Sequence, residues 1–195
     1  MTLTLAELVR RAIDSVKDPR GGAREVMALA LTRTARWEAL IAVVIVSVLL
    51  AHVTAFLSPG GDMMMAPMLR NPLASTTIQL GLMVIMVFAV FLIGRALGGG
   101  GSLDDTILLM AWMQWILVGL QVVQTLALLV IPPLGGLIVL AGMGLFFWLL
   151  TNFVAELHGF RSLGRVFMMI MLSMVGLAIL MSIVLSMIGV QVVGV

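Results

Sequence analysis

The sequence predicts an all-α, polytopic membrane protein, a bundle of five transmembrane helices with an N-terminal cytoplasmic amphipathic helix. Hydrophobic residues make up 62% of the 195 residues and charged residues only 10%. A soluble domain of this size could not bury that much apolar surface. The apolar residues also fall into five runs, each at least as long as the roughly 20 residues that cross a bilayer.

The first 36 residues are charged throughout and are predicted to form a cytoplasmic arm. Thr4 to Glu7 reads T-x-x-E, a capping box, and apolar residues then recur at helical spacing as far as Val16. Asp18-Pro19 and Gly21-Gly22 are expected to end this helix. A basic amphipathic helix before a span commonly lies on the membrane surface, and docking to a partner is the alternative. The expected lipid- or partner-binding residues are Arg10, Arg11, Lys17, Arg20 and Arg24.

Residues 37–195 are predicted to form the transmembrane domain, and its short connections indicate antiparallel neighbours. With the N-terminus in the cytoplasm, every Lys and Arg except Arg70 falls on the cytoplasmic side, as the positive-inside rule requires. Five spans then place the C-terminus outside the cytoplasm. The preference for Arg over Lys hints at a bacterial source, and hence at the inner membrane. The predicted spans are 38–57, 75–97, 104–131, 134–157 and 163–188.

A run of four glycines connects the second and third predicted spans. A P-loop needs a Lys, and Gly100 stands at the corresponding position. Two aspartates at the start of the next helix would also repel a phosphate, whereas Ser102 to Asp105 reads as a capping sequence. Capping alone is expected to explain both aspartates. The stretch is therefore interpreted as a hinge and cap, formed by Gly98, Gly99, Gly100, Gly101 and Ser102.

The spans contain amides but no charged residue near their centres. Gln79 lies in the second span, Gln114 and Gln121 in the third, and Asn152 in the fourth. Buried amides can join helices or line a path for a solute. Because ion-coupled transporters usually need an ionisable group at this depth, packing is favoured and a small-solute transporter or channel is the alternative.

The residues that could hold a metal are histidines and methionines, because there is no cysteine. His52 and His158 fall at opposite membrane surfaces, and each is expected to hydrogen-bond the adjacent turn. Thioether clusters favour Cu(I), so extracytoplasmic Cu(I) binding is a minor alternative to the prediction of no metal and no cofactor. No pairing of a nucleophile with a base, or of two acids within a span, indicates an enzyme. The methionines of that alternative lie in the first outer loop: Met63, Met64, Met65 and Met68.

Three stretches of the sequence are distinctive: "DPRGGAREVM" (18–27), "GGGGSLDDTILLMAW" (98–112) and "LHGFRSLGRVFMMIM" (157–171). They resemble the bacterial branch of the Yip (Ypt-interacting, Yip-one domain) family of membrane proteins. The resemblance implies five spans with the N-terminus inside. Eukaryotic members are linked to prenylated Rab GTPases, a role that is not carried over because their aspartate-leucine-tyrosine-glycine-proline motif is missing.

The expected function is that of a non-enzymatic adaptor or accessory subunit that binds other membrane proteins or lipids. The expected partners are the lipid bilayer and either a larger membrane-protein complex or further copies of the chain. Nucleic acid is not expected to bind.

Overall fold

The computed structural model describes residues 4–57 and 70–187. Within these residues the regular structure is helical, and five of the seven α-helices, α3 to α7, are long and apolar enough to cross a membrane. The predicted all-α class and the five apolar spans are confirmed. In chain order the helices are α1 (Leu5–Lys17), α2 (Pro19–Met27), α3 (Arg33–Leu57), α4 (Pro72–Ala96), α5 (Leu103–Val130), α6 (Pro132–His158) and α7 (Leu163–Met187).

Helix α1 begins at Thr4, whose hydroxyl accepts a hydrogen bond of 3.3 Å from the Glu7 N–H. This bond satisfies one of the N–H groups that the first turn of a helix leaves free. The apolar residues Leu8, Ala12 and Val16 follow at helical spacing and pack against the core of the protein. One face of α1 is therefore held by the rest of the chain.

The arm contains two helices. The first ends at Lys17, so the expectation that Asp18-Pro19 ends it is confirmed, whereas the expectation that Gly21-Gly22 ends a helix was wrong, because both glycines lie within α2. Helix α1 ends before Asp18, whose carboxylate accepts a 3.0 Å hydrogen bond from the Gly21 N–H and so caps α2. Pro19 suits the first turn of α2 because a proline has no N–H that would need a partner there. A side chain at Gly22 would collide with Ser15 of α1. Gly22 therefore permits the close approach of α1 and α2, and Gly21 leaves room for the carboxylate of Asp18 that caps α2.

Helix α5 lies at the centre of the bundle, where it contacts α3, α4 and α6. Its residues from Thr106 to Met113 are all buried. Burial over more than two consecutive turns requires neighbours on every side of a helix. The transmembrane helices leave one side of this segment open, and α1 and α2 cover it.

The two ends of the bundle differ in what they carry. We call the end with α1, α2 and the α4–α5 and α6–α7 turns the proximal end, and the opposite one the distal end. Helix α5 has 28 residues, about 42 Å at a rise of 1.5 Å per residue, whereas the hydrocarbon core of a bilayer is about 30 Å thick. This helix is therefore about 12 Å longer than the hydrocarbon core is thick.

Candidate functional site

The candidate site is the proximal end, where segments far apart in the sequence are joined by charged groups. Glu156 of α6 forms ion pairs with Arg20 at 3.5 Å and with Arg24 at 3.1 Å, both on α2. Arg20 also donates a hydrogen bond of 2.6 Å to the backbone oxygen of Phe160, just after α6. Helix α2 is therefore fixed to the end of α6 through two arginines and one carboxylate.

Helix α1 of the arm is joined to the bundle by two tryptophans. The indole N–H of Trp112 donates a buried hydrogen bond of 3.0 Å to the hydroxyl of Ser15. The indole N–H of Trp148 donates to the backbone oxygen of Val16 at 3.4 Å. Since Trp112 lies on α5 and Trp148 on α6, helix α1 crosses both of these helices at the level of their tryptophans.

A second pair of charged contacts joins the start of α3 to the start of α5. Arg33 and Asp104 are 3.2 Å apart, and Arg36 and Asp105 are 2.7 Å apart. The Ser102 hydroxyl accepts a 3.0 Å bond from the Asp105 N–H, as its capping sequence requires, and donates to the Asp105 carboxylate at 2.6 Å. The expectation that capping alone explains the two aspartates was wrong, because each also binds an arginine of α3.

His158, the last residue of α6, connects the two proximal turns. Its Nδ1 accepts a hydrogen bond of 3.2 Å from the Gly101 N–H, and its Nε2 lies 3.2 Å from the backbone oxygen of Val90 on α4. Nδ1 must be unprotonated to accept, so the proton sits on Nε2 and is donated to Val90. The expectation that His158 bonds its adjacent turn was wrong, whereas His52 does bond the Val48 oxygen one turn back, at 2.9 Å.

Glycines surround the His158 ring on α4 and in the α4–α5 turn. A Cβ at Gly99 would lie 2.5 Å from the His158 Cβ, and one at Gly101 would lie 2.8 Å from its Cε1. A Cβ at Gly94 would lie 2.5 Å from Cδ2 and closer still to Nε2 and Cε1. We call these three glycines, His158 and its two backbone partners the His158 joint.

The glycine turn at the joint has a defined conformation. Gly98 has a φ of 89°, in the left-handed region that favours glycine. Its N–H bonds the Arg95 oxygen at 3.0 Å, and the Gly99 N–H bonds the Gly94 oxygen at 2.9 Å, which is the Schellman pattern for ending a helix. The α6–α7 turn repeats this pattern at Gly159, with a φ of 74°. The hinge role of the four glycines stays a prediction.

Inside the bundle, three of the four predicted amides meet at one hydroxyl. The Nε2 groups of Gln79 and Gln114 each donate to the Ser47 hydroxyl at 3.1 Å. That hydroxyl lies 3.4 Å from the Gln121 Oε1, to which it donates, and the Gln121 Nε2 donates to the Ser47 backbone oxygen at 3.2 Å. A hydroxyl has one hydrogen to donate and two lone pairs to accept with, so the full hydrogen-bonding capacity of the Ser47 hydroxyl is used. We call these four residues the Ser47 cluster, which joins α3, α4 and α5.

The remaining predicted residues lie apart from the joint and the cluster. Asn152 is buried on α6 and donates to the Trp148 oxygen of its own helix at 2.8 Å. Arg11 pairs with Glu7 at 3.2 Å, and Arg10 and Lys17 have exposed side chains. Binding of lipid or a partner by these basic residues stays a prediction. The methionines proposed for Cu(I) lie outside the described residues, among which no group of three His or acidic side chains could hold a metal ion.

Sequence reasoning did not identify Glu156, Ser15 or Ser47 as contact residues. Glu156 stands two residues from His158, and this spacing gives no shared face on a helix. Ser15 and Ser47 are single hydroxyls in helical patterns whose partners lie on other helices. One signal for the joint was present in the sequence. The glycine run and the His-Gly turn both stood out as family-like stretches, and the structure brings them together at His158.

Comparison with known families supports the architecture. Residues 13–183 match the family described as the Yip1 domain, from within α1 to within α7. This family is not known as one of enzymes. Comparison with curated proteins and with solved structures gave no match. Because the match covers most of the chain and includes the α2 segment, the glycine turn and the His158 turn, the chain belongs to the Yip1 domain family of membrane proteins.

Proposed function

We propose that the protein is a non-enzymatic adaptor or accessory subunit of the bacterial inner membrane. Its N-terminus and proximal end face the cytoplasm, and its C-terminus lies outside. The distribution of basic residues supports this orientation, because every Lys and Arg except Arg70 then lies on the cytoplasmic side. In this function the five spans fix the position of the arm, and the arm presents a binding surface to lipid and to other membrane proteins.

The observation that carries the proposal is an apolar stripe on α1 that no described part of the chain covers. Leu5, Val9 and Ile13 are 67%, 47% and 52% exposed, and their spacing of four residues places them along one line of the helix. The adjoining edge of the same apolar face packs against the core through Leu8, Ala12 and Val16. A helix that is held by one edge of its apolar face and exposes the other edge can bind a membrane surface or a partner through the exposed residues.

The depth of α1 favours lipid as the first contact of the stripe. Tryptophans concentrate at the boundary between hydrocarbon and headgroups, and Trp112 and Trp148 both hydrogen-bond α1. At this level the stripe meets acyl chains while the exposed Arg10 and Lys17 meet headgroups. Near an anionic surface each such charge contributes about 1 kcal/mol. Arg20 and Arg24 contribute differently, because they hold α2 on Glu156.

The membrane contact of α1 is tested with an environment-sensitive fluorophore on single cysteines, which label uniquely because the chain has none. Val9→Cys places the label on the stripe, and Asp14→Cys places it at an exposed polar position of the same helix. In proteoliposomes the emission at position 9 should be blue-shifted relative to position 14. Equal emission from water-exposed labels at both positions would contradict the membrane contact.

The adaptor role is tested by purification from the native membrane in a mild detergent. A stoichiometric partner should be recovered with the unaltered chain and lost with Leu5→Ser/Val9→Ser/Ile13→Ser. The matched control is Leu126→Ser, which makes the same kind of change at an exposed position on α5. Recovery of the chain alone, or of the same partner with all variants, would contradict the proposal.

The transporter or channel alternative depends on the amides of the spans. In the Ser47 cluster these amides bond one shared hydroxyl and one backbone oxygen, which favours their role as interhelical contacts. Extracytoplasmic Cu(I) binding has no supporting observation in the described residues. Neither alternative is favoured over the adaptor.

A further inference from the structure

An apolar groove of about 310 Å³ runs between α4, α6 and α7. Helix α7 packs mainly against α6, and the space between α7 and α4 remains open. The groove begins beside Gly94 and Phe160 and follows α7 from Val166 to Ala178. The twelve residue steps between them span about 18 Å of helix, somewhat more than half of the roughly 30 Å hydrocarbon core. The groove therefore has the length of one leaflet.

At the proximal end the groove adjoins a second cavity of about 550 Å³, which we call the basic mouth. Leu97 and Phe160 line both spaces. The mouth adds Arg161, Ser162 and Arg165, and none of the described carboxylates lines it. Among the ion pairs of the described residues, neither of these arginines takes part.

Arg161 and Arg165 differ in their ion pairing from the arginines of α2 and α3. On α2 and α3 the arginines are used within the protein, on Glu156, Asp104 and Asp105. Arg161 and Arg165 instead add two positive charges at the edge of a space whose inner walls are almost wholly apolar. An apolar groove of leaflet length with a cationic edge is complementary to a molecule with an acyl chain and an anionic head.

We infer that the groove and the basic mouth together bind one anionic phospholipid. One acyl chain lies in the groove between α4 and α7, and the phosphate is held by Arg161 and Arg165 with the Ser162 hydroxyl. Arginine suits this contact because its guanidinium can bind two phosphate oxygens at once. Basic pockets between transmembrane helices on the cytoplasmic side are a recurring way of holding anionic headgroups.

The two chemical parts of the site favour a lipid over a protein helix as its occupant. An acyl chain with an anionic headgroup matches the apolar groove and the cationic mouth at once, whereas charged side chains are rare within transmembrane helices. This inference goes beyond the proposed function, since the site lies on α4, α6 and α7 and does not involve α1.

The experiment is a lipid titration of the purified full-length chain followed by native mass spectrometry. Phosphatidylglycerol and phosphatidylcholine with the same acyl chains are the two probes. We expect one tight site for phosphatidylglycerol, with an affinity at least tenfold higher than for phosphatidylcholine. Arg161→Gln/Arg165→Gln should abolish that tenfold preference. Arg70→Gln, which removes a basic side chain at an exposed position of the distal end, should leave it unchanged, so this result separates the site from a general effect of net charge.

The acyl-chain part of the site is tested in the same titration by Ala89→Phe, which fills the groove from α4. This variant should weaken binding of both lipids at least tenfold, and its elution as a single species on size exclusion shows that it folds. Inorganic phosphate is the third probe. Equal affinity for the two lipids in the unaltered chain would overturn the inference. It would also be overturned if millimolar phosphate displaced phosphatidylglycerol completely and Ala89→Phe bound both lipids as tightly as the unaltered chain.

Discussion

The His158 joint predicts that a single added methyl group at Gly94 destabilises the protein strongly. In Gly94→Ala the new Cβ would occupy space held by the imidazole of His158. The ring cannot turn aside freely, because its two nitrogens are bonded to Gly101 and Val90 on different segments. Either the ring leaves its place and loses both hydrogen bonds, or α4 and α6 move apart.

The magnitude follows from these two routes. Adding a methyl to a closely packed site typically costs about 1–3 kcal/mol. Loss of a hydrogen bond contributes about 0.5–1.5 kcal/mol, and two are at risk. Two hydrogen bonds together give a similar range, and the protein would take the less costly route, so we expect Gly94→Ala to lower the free energy of unfolding by about 1–3 kcal/mol.

The assay is equilibrium unfolding in mixed detergent micelles, followed by far-UV circular dichroism. Gly81→Ala is the matched control, because Gly81 lies on the same helix and its Cβ would meet no atom within 4 Å. The control should be neutral or slightly stabilising, since alanine is the better helix former. Gly94→Ala/His158→Ala should be more stable than the sum of the two single changes predicts. Equal stability of the two alanine variants, within about 0.5 kcal/mol, would refute the reasoning.

Two other contacts give predictions with the same assay. Glu156→Gln should lower the free energy of unfolding by about 0.5–2 kcal/mol at low salt, because it removes the charge shared by two partly exposed arginines. This loss of stability should shrink at 1 M salt. The control Glu38→Gln, at an exposed position, should change the stability little. A salt-independent loss would argue against an ion pair. Ser47→Ala should cost about 1–2 kcal/mol, because three amides lose a partner. Ser182→Ala, whose hydroxyl bonds the preceding turn of its own helix, should cost less, and an equal cost for the two changes would contradict the role of the Ser47 cluster.

The sequence was sufficient for features that depend on local pattern. The lengths and hydropathy of five runs predicted α3 to α7, since an apolar segment of that length has few alternatives to a membrane helix. The T-x-x-E pattern located the start of α1, and the S-x-x-D pattern located the start of α5 at Ser102. Each of these signals lies within one turn of the helix that it specifies.

The contacts at the proximal end could not be predicted because they join distant segments. His158 meets a turn 57 residues earlier, and Glu156 meets Arg24 across 132 residues. With eleven basic residues in the chain, nothing local assigns Glu156 to Arg24. The second helix of the arm was missed for a related reason. Gly22 reads as a breaker in isolation and becomes favourable only when Ser15 lies against it.

The long-range contacts of the arm have a consequence for the order in which the protein assembles. Helices α1 and α2 leave the ribosome before the five spans, but the carboxylate that fixes α2 is made 132 residues after Arg24. At about 5–20 residues per second, translation needs roughly 7–26 s to supply it. Helix α1 can dock on α5 earlier, because its partner Trp112 is made before Glu156. The arm is therefore attached in two stages, and α2 is fixed only after four of the five spans have been made.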